Sequence, residues 1–289
     1  MHTNEKLLVL IDGHALAYRA FHAIRIPLTT RAGEPTTAVY GFTSALLKAF
    51  SDLQPAYVAV AFDHPARTFR SQRFEAYKAH RPPMPDELRQ QLGRVRQVVE
   101  TLDIASYELG GYEADDVLGC LARQATEKGL CTIIVTGDTD LFQLASPSVD
   151  VLLQRGLQDS VLYTESKIRE RYGLDPAQII DYKALVGDPS DNISGVPLIG
   201  EKYATELLQA HGTVEGIYEN LAIVPSMLQK RLRHGEEAAR QEPDAPPTAQ
   251  TVEMQVEAFL GLPPEKVDPL QWWKVHERKC RSVAPLAKK

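Results

Sequence analysis

Apolar positions along this chain alternate between short unbroken runs and longer stretches that repeat every three to four residues. The run Leu-Leu-Val-Leu-Ile at 7–11 predicts a buried strand. Residues 36–50 place Val39, Phe42, Leu46, Leu47 and Phe50 on one helical stripe. The run Tyr-Val-Ala-Val-Ala-Phe at 57–62 predicts a second strand. Residues 86–102, entered by Pro85 and Asp86, carry Leu88, Leu92, Val95, Val98, Val99 and Leu102 at helical spacing. Another helix is predicted over 114–128, stopped at Gly129, then a strand at 131–135 and a weaker one at 149–153. Strand–helix–strand alternation predicts an α/β fold with a mainly parallel central sheet flanked by helices. From about residue 164 the strand pattern stops, and helices are predicted at 164–172, 176–186, 201–210, 213–220 and 224–233. The segment Glu-Pro-Asp-Ala-Pro-Pro at 242–247 reads as a linker. A short helical candidate at 250–260 and a basic tail with Trp272 and Trp273 follow it. The expected division is an α/β domain over 1–172, a helical subdomain over 173–235, and a Pro-rich linker with an unassigned tail over 236–289.

Composition adds little to the fold but narrows the chemistry. With 289 residues, 44% hydrophobic and 24% charged, the chain can bury a sizeable core without covalent staples. Three cysteines, Cys120, Cys131 and Cys280, have no C-x-x-C spacing, which argues against a disulfide framework and a thiolate zinc site. The apolar run at 7–11 is too short for a signal peptide or a membrane span, so a cytoplasmic protein without membrane attachment is expected. The formal charge of −6 hides a pattern: residues 67–96 hold eight Arg or Lys against three acids. On charge alone, a solvated basic helix and an anion-binding segment are equally good readings.

The acids carry a sharper signal. Strand candidates lead into Asp12, into Asp63, and through Thr136-Gly137 into Asp138 and Asp140. In a parallel sheet these ends share one edge, where ligands bind in open α/β folds. Glu113, Asp115 and Asp116 open a helix between those strands. Taken singly, each of these aspartates reads first as a turn residue or an N-cap, and the three acids at 113–116 as an acidic first helical turn. Together they would repel unless a cation neutralised them, and oxygen-only donors favour Mg²⁺ or Mn²⁺ over zinc. Two such ions suit in-line attack on a phosphodiester. Further on, Asp188 and Asp191 add two carboxylates, and Gly195 to Gly200 bounds a hairpin before a helix. Its N–H groups, near Lys202, suit a phosphate; a plain helix–turn–helix corner is the other reading.

At these residues the chain resembles the 5′-nuclease domain of bacterial DNA polymerase I and, more broadly, the flap endonuclease superfamily. The blocks are Leu-Ile-Asp-Gly-His at 10–14, Tyr18-Arg-Ala-Phe21, Val39-Tyr-Gly-Phe42, Ala61-Phe-Asp63, Phe69-Arg70, Tyr77-Lys78 with Arg81, Gly111-Tyr-Glu-Ala-Asp-Asp116, Gly137-Asp-Thr-Asp140 and Gly187-Asp-Pro-Ser-Asp-Asn192. The resemblance covers roughly residues 7–235. It implies a PIN-like 5′-nuclease fold with a helix-hairpin-helix subdomain, and hydrolysis of DNA at 5′ flaps, nicks and 5′ ends in replication and repair. It implies one metal site around Asp12, Asp63, Glu113, Asp115 and Asp116, and a second drawing on Asp138, Asp140, Asp188 and Asp191. It assigns Lys78 and Arg81 to the scissile phosphate, where cations offset developing charge. It gives DNA contacts to Tyr18, Arg19, Arg70, Tyr77, Gly195, Gly200 and Lys202; packing is the other reading for the two tyrosines. Expected with it are a monovalent cation at the hairpin, a DNA polymerase acting in trans, monomeric behaviour and a place at the nucleoid. Setting aside the nine candidate ligands takes residues 1–235 from −5 to +4, the sign phosphate binding needs.

Two departures stand out. Leu198 and Tyr203 occupy positions where the family usually has glycine and threonine. A Cβ at 198 resists positive φ and the close approach of a phosphate, which puts the hairpin's cation and duplex contact in question. Residues 236–289 carry no recognised pattern. Two rival readings remain: an aspartate-nucleophile phosphatase, disfavoured because Phe142 stands where Thr or Val is wanted, and a non-catalytic DNA-structure binding module, which gains nothing from nine phosphate-repelling acids.

Overall fold

The computed structural model describes residues 6–156 and 159–239; the linker, the helical candidate at 250–260 and the two tryptophans lie outside them. Six strands form one sheet in the order β3-β2-β1-β4-β5-β6. Their ranges are β1 Leu7–Asp12, β2 Tyr57–Ala61, β3 Ala105–Tyr107, β4 Cys131–Thr136, β5 Val149–Gln154 and β6 Ser160–Tyr163. All neighbouring pairs are parallel except β5 with β6. The order runs outward from β1 in both directions, so the sheet reverses its winding between β1 and β4, the place where open α/β sheets hold ligands.

Both faces of β1 are buried, which is why its sequence is apolar without alternation. Leu7, Val9 and Ile11 pack under α1 (Gly13–Ala23), α2 (Thr37–Leu53) and α4 (Asp86–Thr101), through Leu16, Phe42, Leu46, Val95 and Val99. Leu8 and Leu10 face α5 (Ala114–Glu127), through Val117, Leu118 and Leu121. A short helix, α3 (Phe69–Arg73), lies between β2 and α4.

Beyond β6 the chain is helical: α6 (Glu165–Tyr172), α7 (Ile179–Val186), α8 (Glu201–His211), α9 (Val214–Glu219) and α10 (Ser226–Ala239). Leu185, Val196, Ile199, Leu208, Ile217 and Leu232 give these helices a core of their own. A smaller cluster of Phe142, Val151, Tyr163, Ile168 and Ile179 joins it to the sheet. Among the described residues no helix is long and apolar enough to cross a membrane.

Candidate metal and nucleic-acid site

The carboxylates gather at the C-terminal ends of β1, β2 and β4, as the strand pattern predicts. Asp12 ends β1 and caps α1, accepting from the Ala15 N–H at 2.9 Å and from the Thr136 hydroxyl at 3.0 Å. Asp63 follows β2 and accepts from Ala114 N–H at 2.8 Å, tying it to the start of α5. Its own N–H donates to His14 Nδ1 at 2.9 Å. Asp138 follows β4 and accepts from the Asp140 N–H at 3.0 Å.

Burial and mutual repulsion make part of this cluster electrostatically unfavourable as it stands. Burial, with Asp63 and Asp138 adding repulsion, pushes the Asp12 carboxyl up to about 7. Asp115 is pushed well above its ordinary value by burial, then by Asp12 and Asp138, against a smaller pull from Lys78. Asp138, expected among the acids of the second group, thus interacts with Asp12 and Asp115.

The other five acids are held by the protein's own cations. Asp116 accepts a forked pair of bonds from Arg70, each 2.7 Å. It also closes a capping box with Glu113 at the start of α5. Glu113 receives Lys78 Nζ at 3.0 Å and the Tyr77 hydroxyl at 3.0 Å. Asp191 pairs with Arg81 at 2.6 Å and lies 3.8 Å from Lys78 Nζ. Lys183 on α7 bridges Asp140 and Asp188. Burial opposes the charge on Asp188, but Lys183 and Ser190 outweigh it and hold its carboxyl down at about 2. Among the described residues no three of these acids stand in a geometry that could hold an ion, and five of the nine point at lysine or arginine. The four without such an ion pair are oxygen donors along the sheet's C-terminal edge: Asp12 and Asp138 flank the reversal point, Asp63 follows β2 and Asp115 opens α5. That donor set fits a hard divalent cation.

The residues expected to meet nucleic acid divide as sharply. Lys78 sits in the left-handed region at φ 54°, a strain that clusters at functional sites. Its backbone docks on the Asp191 carbonyl, and Asn192 donates to the Ala76 carbonyl, so this loop is pinned to the helical subdomain. Tyr18 is exposed and packs on His22. Arg19 instead donates to the Gly137 carbonyl, bracing the loop that carries Asp138 and Asp140. Arg70 is committed to Asp116, and Tyr77 is buried against Glu113, so neither is presented to a strand as placed. Lys202 is exposed beside Glu206.

At the hairpin, a Cβ on Gly195 would meet the Gly187 backbone within 3 Å, so packing alone demands glycine there. At Gly200, which caps α8, a Cβ would meet nothing within 4 Å, so packing does not demand glycine there. Leu198 does adopt positive φ, at 66°, and its side chain is 77% exposed. Arg231 donates to the Leu198 carbonyl at 2.8 Å and lies over the Tyr203 ring, so the two unusual residues share one partner.

Sequence reasoning missed Lys183, Thr136 and His14. Lys183 carried the plainest signal: a cation about one turn before the acid-rich Gly-Asp-Pro-Ser-Asp run, in the last turn of the helix that leads into it.

Comparison with known proteins places the fold. Residues 7–173 match the 5′-3′ exonuclease N-terminal resolvase-like domain, and residues 174–258 match the 5′-3′ exonuclease C-terminal SAM fold. DNA polymerase I of Chloroflexus aurantiacus is 48% identical over 239 residues, covering 81% of this chain and 25% of that protein. The thermostable DNA polymerase I of Thermus thermophilus is 44% identical over 231 residues, covering 80% of this chain and 27% of the relative. The chain thus spans about a quarter of the length of these curated relatives. A structure of T5 5′-exonuclease with bound zinc ions superposes with a TM-score of 0.66 at 20% identity, covering 98% of this chain and all of that one. The catalytic core of Rad2, in complex with a DNA substrate, gives a TM-score of 0.53 at 15% identity, covering 96% and 92%. The chain belongs to the 5′-3′ exonuclease family, and its sheet and helical subdomain are those of a 5′ nuclease.

Proposed function

We propose that this chain is a structure-specific 5′ nuclease that hydrolyses DNA phosphodiesters at 5′ flaps, nicks and 5′ ends, using divalent cations, Mg²⁺ or Mn²⁺. The observation that carries the reading is the set of four carboxylates without a lysine or arginine ion pair along the sheet's C-terminal edge, beside a loop loaded with cations. Asp12, Asp63, Asp115 and Asp138 are the residues to hold one ion. Asp140, Asp188 and Asp191 are those to share a second once Lys183 and Arg81 let go of them. When bound, such ions activate a water and stabilise the leaving oxygen.

The protein's own groups do the rest. Thr136 and the N-terminus of α1 fix the orientation of Asp12. Arg70 and Asp116 hold the first turn of α5 and so place Asp115. Lys78 and Arg81 lie within one loop of the acids and are the cations to meet the scissile phosphate; there they offset charge as it develops. The exposed Tyr18 suits contact with the displaced strand, and the start of α8 at Gly200, with the exposed Lys202, suits the phosphates of the duplex. Relatives bearing this module are DNA polymerases, which supports a polymerase working at the same nick. The division of the chain at 172 and 235 and its action as a monomer belong to the same reading.

A 5′-labelled flap duplex, incubated with Mg²⁺ or with excess chelator, tests this. Products with a 5′-phosphate and a 3′-hydroxyl, cut near the flap junction and only with the ion, support it. Binding without cleavage would make the chain a DNA-structure binding module instead.

A further inference from the structure

A second cationic cluster lies on the outer edge of the sheet, around the end of β5 and α6. Arg155, which follows β5, donates to the Tyr163 hydroxyl oxygen at 2.8 Å. Arg171, from the last turn of α6, donates to the same oxygen at 2.6 Å. Lys167, one turn earlier on α6, holds its ammonium 5.2 Å from the centre of the Tyr163 ring. All three cations are exposed, whereas Tyr163 is buried. A guanidinium has five N–H groups. Among the described residues, the side chains of Arg155 and Arg171 each spend one on the phenol and make no other hydrogen bond and no ion pair. Their neighbour Arg169 is the contrast, paired with both Glu165 and Asp175.

Two guanidiniums on one neutral oxygen, with an ammonium near the ring that bears it, repel each other, and among the described residues none of the three has an ion-pair partner. The phenol fixes both forks in advance, so a ligand that uses them loses little side-chain entropy. Tyr163 answers to the same field: burial opposes its ionisation, yet Arg171 and Arg155 lower its pKa. Planar forks with free N–H groups match the oxygens of a phosphate.

The place of the cluster selects the phosphate's source. β5 runs parallel to β4, with Leu153 level with Thr136. Arg155 comes two residues after Leu153, as Asp138 comes two residues after Thr136. At the Leu153–Thr136 pair itself, one strand spacing, about 4.8 Å, separates the two chains. On its other side, Arg171 lies over the Tyr172 ring, which packs against Tyr182 of α7 in the helical subdomain.

We infer that Arg155, Arg171 and Lys167, ordered by Tyr163, form a binding site for a backbone phosphate of the nucleic acid on the stretch between the acidic site and the hairpin. This rests on the 5′-nuclease reading above. The test uses the full chain, a labelled nicked duplex and a chelator, and follows affinity across a salt series. Each phosphate contact contributes about 0.9 to the slope of log affinity against log salt. Arg155→Gln and Arg171→Gln should each weaken binding and lower that slope by about 1. Arg169→Gln makes the same change in net charge on the same helix and should leave the slope unchanged. Tyr163→Phe keeps every charge but frees both guanidiniums, so affinity should fall with the slope retained. Wild-type affinity and slope in both Arg155→Gln and Arg171→Gln would overturn the site, as would an equal loss in Arg169→Gln, which would reduce the effect to net charge. A wild-type chain that binds and cleaves flaps while these variants bind normally fails this inference alone; a wild-type chain that does neither fails the nuclease reading beneath it.

Discussion

Replacing Asp116 by asparagine removes one charge while keeping the side chain's size, and the contacts around the carboxylate set the cost. It accepts two bonds of 2.7 Å from Arg70 and one of 2.9 Å from the Glu113 N–H. An asparagine offers one acceptor oxygen, and its amide N–H₂ faces donors, so at least one Arg70 bond is replaced by donor against donor. The pair is mostly withdrawn from water, with side-chain exposures of 17% and 7%. Breaking one partner of such a pair costs about 3–5 kcal/mol. Glu113, already 3.8 Å from Arg70, absorbs part of the stranded charge, so the expected loss is about 3 kcal/mol, the lower end of that range. For a folded unit of this size each kcal/mol lowers Tm by about 2–4 °C, giving a fall of about 6–12 °C. Thermal melts followed by circular dichroism, in chelator so that no ion intervenes, read this directly. Flap cleavage should fall as well, because Asp115 sits in the turn that Asp116 anchors. A melting temperature within about 2 °C of wild type, less than the shift expected for 1 kcal/mol, with cleavage strongly reduced, would refute the bracing role and make Asp116 a direct metal ligand.

The same set of contacts makes other outcomes testable. Lys78→Ala should slow single-turnover cleavage by about 10²–10³-fold, the cost of losing one electrostatic stabiliser; a variant that only weakens DNA binding would demote Lys78 to a backbone contact. Asp12 ties metal to pH: its carboxyl stands at about 7 in the fold against 3.8 ordinarily. The fold therefore binds that proton more tightly than the unfolded chain, so ion-free stability should decline as pH rises between about 4 and 7. The rise in Tm on adding Mg²⁺ should then be larger at about pH 8 than at about pH 5, and an equal or larger rise at the lower pH would contradict it. Leu198→Gly should relieve a left-handed residue costing about 1–2 kcal/mol, less the roughly 0.5–1 kcal/mol that glycine's freedom costs. Little packing is lost from so exposed a side chain, so a slightly higher Tm is expected; a clear fall would mean that the leucine packs.

Much of the fold is written in the apolar pattern because the strong elements bury continuous runs or clean stripes. β1 and β4 lie at the centre of the sheet and read as unbroken apolar segments. The elements that escape are those with weak burial signals. β3 has three residues, with no side chain fully buried. β6 pairs on one side only, in the opposite sense to the rest. α1 opens on Gly13, which makes a poor helix start in sequence but is needed because a Cβ there would meet the Phe62 ring at 2.4 Å.

The acids are legible for a similar reason: strand ends fix where a following aspartate must lie. What no local pattern carries is which cation meets which acid. Arg70 reaches Asp116 across 46 positions and Arg81 reaches Asp191 across 110. Such pairs depend on the tertiary fold, so Arg70 reads in sequence as a nucleic-acid contact although its fork is occupied. Leu198 shows the converse. Its Cβ argues against positive φ, and the hairpin adopts it nonetheless, because Val196 and Ile199 on either side are fixed in the core.

The central claim is that carboxylates left without a lysine or arginine ion pair along the sheet's C-terminal edge collect a divalent ion and that cleavage depends on it. The most direct measurement titrates the wild-type chain and Asp115→Asn with Mn²⁺, counting bound ions by electron paramagnetic resonance while following single-turnover cleavage of a 5′-flap duplex. The account predicts that wild-type cleavage rises with ion occupancy, and that Asp115→Asn loses both the ion and cleavage while remaining folded by circular dichroism. Undiminished cleavage in excess chelator, or full cleavage by Asp115→Asn, would contradict it.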